Sequence, residues 1–202
     1  MMVTPMQKIL FGSGRLFAKL IHDRQGVAAV EFAVIVPLML TLFFGLVEFS
    51  NGVAADRKVS LVARTLSDLT SQSSSVADSD LANFNIVANA ILTPYAVTST
   101  TPLVATITEL YIHPTTGVAK VIWSKGTAPL SGNVTIPSQI QVNGTYLIMA
   151  QIEYRYIPAV GYIMNASTGV LLKDVAYTRP RVKPCVIYSA SPIVGGLPNC
   201  PT

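Results

Sequence analysis

Residues 27–47 read VAAVEFAVIVPLMLTLFFGLV, an apolar run interrupted by one charge, Glu31. About 20 such residues form a helix that crosses the roughly 30 Å hydrocarbon layer of a bilayer, so the run predicts a transmembrane helix. A secretory signal peptide has a shorter apolar core that stops at small residues. Here an amphipathic pattern continues past the run. The composition agrees: 50% of residues are hydrophobic and 12% charged, with a mean hydropathy of +0.50. Those values are too apolar for an ordinary soluble domain and unlike a disordered chain.

The net charge of +4 raises nucleic acid as a partner, but Lys8, Arg15, Lys19 and Arg24 all precede the apolar run, opposed only by Asp23. Elsewhere no basic run is interleaved with aromatics, so no nucleic-acid partner is expected. The clustered charge reads as a topology signal. It places the amino end in the cytoplasm and the bulk of the chain outside, although Arg57, Lys58 and Arg64 beyond the span weaken the bias and Glu48, Asp56 and Asp68 offset them.

Beyond the run, Phe49, Gly52, Ala55, Val59, Val62, Leu66 and Leu69 recur at steps of three and four, one buried helical stripe. A single helix from Val27 to about Leu69 is predicted, on the order of 60 Å long, whose outer half must pack on something. Residues 71–75 are serine-rich and read as a linker. A second helix is expected from Ser79 or Asp80 to Leu92, capped by Asp78, Ser79 and Asp80, stopped before Pro94, with Leu81, Phe84, Val87, Ala88 and Ile91 as its apolar face.

The period then changes to two. Residues 103–112, 118–123, 145–157 and 170–178 predict a four-stranded antiparallel sheet, the first two strands joined by the turn His113-Pro114-Thr115-Thr116-Gly117. Residues 124–144 read as a long polar loop. The fold class expected is α+β: a long N-terminal transmembrane helix extending outward and packed on a small antiparallel sheet, with a second short helix, since sheet and helix each cover the other's apolar side. The implied organisation is a basic cytoplasmic leader at 1–26, a transmembrane helix at 27–47, its extension at 48–70 and an extracytoplasmic domain at 71–202.

Glu31 is the residue that asks for a chemical reason. An ionised side chain in a transmembrane helix costs about 2.5–3.5 kcal/mol on the mild insertion scale, which marks it as functional unless it sits shallow enough to reach headgroups. Cleavage after Gly26 supplies a partner. Val27 then carries a free amine with a reference pKa of about 7.7–8.0, largely protonated near neutral pH. Glu31 lies one turn further, about 6 Å along the axis. A neighbouring subunit staggered by that amount presents its amine to this carboxylate, and the pair sets the register of packed helices, the best-attested use of a buried ion pair.

Gly26 followed by Val27-Ala28-Ala29-Val30-Glu31-Phe32-Ala33 and then Pro37 resembles the TadE-like pseudopilin family of tight-adherence (Flp-type) pilus systems. In that family a glycine precedes the cleavage site and Glu-Phe or Glu-Tyr occupies the fifth and sixth mature positions, here Glu31 and Phe32. The resemblance implies processing by a prepilin peptidase on the cytoplasmic side and incorporation as a minor pseudopilin. The implied partners are that peptidase, other pilin or pseudopilin subunits, the inner-membrane assembly platform and the lipid bilayer. The implied location is the bacterial inner membrane, single-pass, with the C-terminal domain in the periplasm, or an assembled pilus.

Other features carry less. Pro37 within the span reads either as a kink that helps the subunit repack or as a plain membrane proline. Cys185 and Cys200, in a Pro- and Gly-rich tail, form a disulfide by default if that tail is extracytoplasmic, and are otherwise two thiols. Arg179-Pro180-Arg181 has no assigned role. No enzyme, cofactor or metal site is expected: His22 and His113 lack catalytic companions and no phosphate-binding glycine motif occurs. The competing reading is an unprocessed single-pass anchor whose outer domain binds an extracytoplasmic partner.

Overall fold

The computed structural model describes residues 25–95, 97–98, 102–158 and 169–189. Among these residues two α-helices and an antiparallel sheet confirm the α+β class. The chain divides into two compact units, Met1–Val47 and Glu48–Thr202. Helix α1 spans Gln25–Ser71 and contributes to both.

In the first unit the described residues are helical, and their large apolar side chains are open: Val30, Phe32, Val34, Leu38, Leu42, Phe43 and Leu46 are all exposed. The mean hydropathy of its most apolar window is 2.4 with none of that window buried. A helix with apolar side chains exposed on all sides is suited to lipid or to other helices.

The second unit is built on a five-stranded sheet of order β4-β3-β2-β5-β6, all neighbours antiparallel. The strands are β2 (Leu103–Ile112), β3 (Ala119–Gly126), β4 (Asn133–Val134), β5 (Tyr146–Tyr156) and β6 (Val170–Thr178). Strand β1 (Ser75–Val76) pairs in parallel with β7 (Ile187–Tyr188), and helix α2 spans Asp78–Leu92. Four strands fall where the two-residue period puts them. The expected sheet is nonetheless one strand short, and the parallel pair was not foreseen, because two-residue strands carry no periodicity.

The core between the helices and one sheet face collects Ala55, Val59, Val62 and Leu66 of α1, Ala88 and Leu92 of α2, and Ile107, Ile148, Ala150 and Ile152 of the sheet. The stripe expected on α1 needs one correction. Phe49 is exposed, whereas Glu48 is half-buried. At 100° per residue Phe49 lies roughly 120° around the helix from Ala55 and Glu48 only roughly 20°, so the sheet meets the carboxylate.

The opposite sheet face has its own cluster, Leu110, Ile112, Ala119, Ile136, Leu147 and Met149, packed with Leu130, Val134 and Ile140. Residues 124–144 are therefore not simply a polar loop. Strand β3 runs on to Gly126, β4 and a 3-10 turn at Ser138–Ile140 follow, and four spaced apolar side chains turn inward to cover the sheet. Gly126 sits at φ 136° against Ala105, where a Cβ would come within 2.1 Å of the Ala105 carbonyl oxygen. Only glycine fits that crossing.

Local chemistry fixes the element ends. The Asp80 carboxylate accepts the Ala77 N–H at 2.9 Å, so Ala77, not the following cluster, is the N-cap of α2. Lys58 of α1 donates to the carbonyls of Ile91 and Thr93 at 2.8 and 2.6 Å, capping its other end. The serine-rich segment is shorter than a five-residue linker, with Ser71 ending α1 and Ser75 opening β1.

Candidate functional site

Gly26, Val27, Glu31, Phe32 and Pro37 all lie on the first turns of α1. Glu31 is exposed, and so are Val27 at 55% and Phe32 at 69%. Nothing lies within 4 Å of the position a Cβ would take on Gly26, and its φ is not positive. An alanine would fit and would favour the helix by up to about 1 kcal/mol. The fold therefore does not ask for a glycine there. Helix α1 runs through Pro37, whose carbonyl accepts the Thr41 hydroxyl at 2.8 Å.

The Glu31 carboxylate and the Val27 backbone nitrogen belong to one helix, a turn apart. What the segment offers chemically is one carboxylate on a rod of exposed apolar side chains.

Where α1 enters the second unit, the Tyr156 hydroxyl donates to Glu48 Oε1 at 2.8 Å. Tyr156 meets Tyr95 edge-on, with ring centroids 5.8 Å apart, and the Tyr95 hydroxyl donates to the Asn51 carbonyl at 3.0 Å. Burial, and then the Glu48 carboxylate beside it, push the Tyr156 phenol above its ordinary range. Tyr156 falls within the predicted strand 145–157 with nothing to single it out. Its acidic partner was hidden because Glu48 reads as a boundary charge after the apolar run.

A second feature escaped sequence reasoning altogether. Glu109 is 1% exposed in the middle of β2, and its carboxylate accepts the Val186 N–H at 2.6 Å. Trp123 Nε1 donates to the Val186 carbonyl at 2.8 Å. Burial pushes the Glu109 carboxyl up to about 7, against the lowering effect of Val186 and Trp123. One acid in a strand of apolar residues carries no signal of its own, since it looks like any solvent-facing residue.

The remaining expectations place as follows. Cys185 is buried next to Val186, and Cys200 lies outside the described residues, as do residues 1–24 of the basic leader, Arg15, Lys19 and His22 among them. His113 is a turn residue whose Nδ1 accepts the N–H groups of Thr115 and Thr116, both at 3.3 Å. Arg181 pairs with Asp68 at 2.6 Å, and its backbone N–H reaches the Ser71 carbonyl, tying the segment after β6 to the end of α1. An open groove of about 510 Å³ beside that pair is lined by Arg64, Asp68, Tyr177 and Arg181, and Asp68 brings its own counter-charge. No group of three metal-ligating side chains occurs among the described residues.

Comparison with known families turns on the long helix. Residues 26–66 match the family model of the TadE-like proteins. The resemblance drawn from Gly26, Glu31 and Phe32 holds over this segment, which begins at Gly26 and ends at Leu66 inside the buried stripe. No curated protein and no solved structure matches the chain.

Proposed function

We propose that this chain is a pseudopilin-type structural subunit of a tight-adherence pilus assembly, anchored through α1 and joined to other subunits by it. The observation that carries the reading is a solitary exposed carboxylate, Glu31, on an uncovered apolar helix whose TadE-like match starts at Gly26. A glycine that the fold does not require is explained by recognition from outside, as the residue preceding a prepilin-peptidase cut. Cleavage there frees the Val27 amine, which pairs with Glu31 of a neighbouring subunit. The ion pair satisfies a charge that would otherwise be buried alone among packed helices.

The same reading puts the second unit on the extracytoplasmic side of an inner membrane and makes Cys185 and Cys200 a disulfide, favoured by an oxidising compartment. The subunit's contribution is structural, with no catalytic step of its own.

Intact-mass measurement of the membrane form tests the processing step. A chain starting at Val27 is expected, and a full-length chain in cells with active peptidase would replace the proposal with the unprocessed anchor. Glu31→Ala is expected to leave insertion intact and to impair assembly. Thiol alkylation with and without prior reduction is expected to label Cys185 and Cys200 only after reduction.

A further inference from the structure

The face of α1 turned away from the sheet carries chemistry that the fold does not use. Phe49, Val53 and Leu61 are 71%, 37% and 52% exposed there, on the part of α1 that belongs to the second unit. Asp56, Arg57 and Arg64 are exposed beside them, Arg64 at the rim of the groove that it lines with Tyr177 and Arg181, and none of the three has a hydrogen-bond or ion-pair partner among the described residues. An apolar helix face of this kind, set with unpaired charges of both signs, is complementary to a copy of itself.

We propose that this outer face of α1 packs against the same face of a second copy of the chain, shifted by four residues, so that Asp56 of one copy sits between Arg57 and Arg64 of the other. The shift rests on the pseudopilin reading: pairing the Val27 amine with a neighbour's Glu31 sets residue n of one copy level with residue n+4 of the next. Asp56 then lies level with Ser60, a small residue that permits close approach. Arg57 and Arg64 flank Ser60 by about one turn on either side, within reach of their long side chains. An unshifted parallel pair would instead set Asp56 against Asp56. The charges therefore select the stagger, while Phe49, Val53 and Leu61 supply the contact area.

Cross-linking between two differently tagged full-length copies, co-produced in the membrane, tests the stagger. One copy carries Phe49→Cys and the other Val53→Cys, which the shift places level while leaving all three charges intact. A mixed-tag product is expected well above the background of either variant with the unmodified chain, and above the Phe49→Cys pair with itself. Asp56→Lys in the Phe49→Cys copy is expected to lower the yield about fivefold, the upper effect of an exposed ion pair. Arg57→Glu with Arg64→Glu in the other copy is expected to restore it.

Absence of the mixed product, a stronger product from the unshifted pair, no response to Asp56→Lys, or capture of a protein of different mass would each overturn the inference. Its failure is separable from that of the underlying reading. A chain cut at Val27 that needs Glu31 for assembly but gives no such product sinks the docking face alone. An uncut chain sinks the pseudopilin reading, whatever the cross-link shows.

Discussion

The Glu109 carboxylate in the middle of β2 accepts the Val186 N–H at 2.6 Å, so a buried acid fastens the segment leading into β7 to the sheet. Trp123 completes the hold by donating to the carbonyl of the same residue. Backbone polar groups buried away from solvent need such partners, and the Val186 N–H and carbonyl both find theirs on side chains of the sheet.

Burial of the Glu109 carboxyl, which outweighs the opposing effect of Val186 and Trp123, makes stability fall as pH rises. The folded carboxyl titrates at about 7 against 4.5 for the free group, so between those values the folded state holds a proton that the unfolded state has released. Stability from Glu109 is full below about pH 4.5, declines as pH rises and is gone above about pH 7, a total of about 3 kcal/mol at 1.36 kcal/mol per unit. Denaturant unfolding of the detergent-solubilised chain between pH 4 and 8 should show the decline. Glu109→Gln, which keeps an oxygen for Val186 without the titration, should flatten it and be the more stable form at pH 8.

Tyr156→Phe removes the hydroxyl that reaches Glu48 while keeping the ring against Tyr95. A hydrogen bond to a charged acceptor contributes about 1.5–3 kcal/mol, and the half-buried position of Glu48 points to the lower end. Tyr156→Phe, Glu48→Gln and the double variant form a cycle in thermal or denaturant unfolding. Strong non-additivity is expected, and additive effects would show that the contact carries no coupling.

The legible parts of the fold were those with a long period. Forty-seven residues of α1 and the paired faces of β2 and β5 repeat often enough for the buried side to declare itself. The family segment was legible for a different reason, because a charge in an apolar run is costly enough to need an explanation. Contacts between distant single residues were not legible. Nothing near Glu48 predicts Tyr156, nothing near Lys58 predicts the end of α2, and Glu109 resembles a surface acid until Val186 is placed on it.

Residues 124–144 show the same limit in a region of mixed composition, where Leu130, Val134, Ile136 and Ile140 are too widely spaced to mark a face. They nonetheless cover Leu110, Ile112, Leu147 and Met149. Ile136→Ala is expected to cost about 2 kcal/mol, at the low end for buried aliphatic truncation because the residue keeps 9% exposure. Hydrogen exchange should then rise in residues 127–144 before it rises in α1. A solvated polar loop would show no loss of stability at all.

Lys58 supplies the last test, because its ammonium reaches across from α1 to two carbonyls at the end of α2. Those carbonyls have no partner within their own helix, and the negative end of the helix dipole favours a cation there. Lys58→Met keeps most of the aliphatic stem and removes both hydrogen bonds, at an expected cost of about 1–2 kcal/mol. If the effect is electrostatic, raising the salt concentration should shrink the stability difference between the parent chain and the Lys58→Met variant, whereas a packing defect would be insensitive to salt. Arg181→Ala offers the contrast: its pair with Asp68 is largely exposed, at 59% and 39%, so the change should cost less than about 1 kcal/mol.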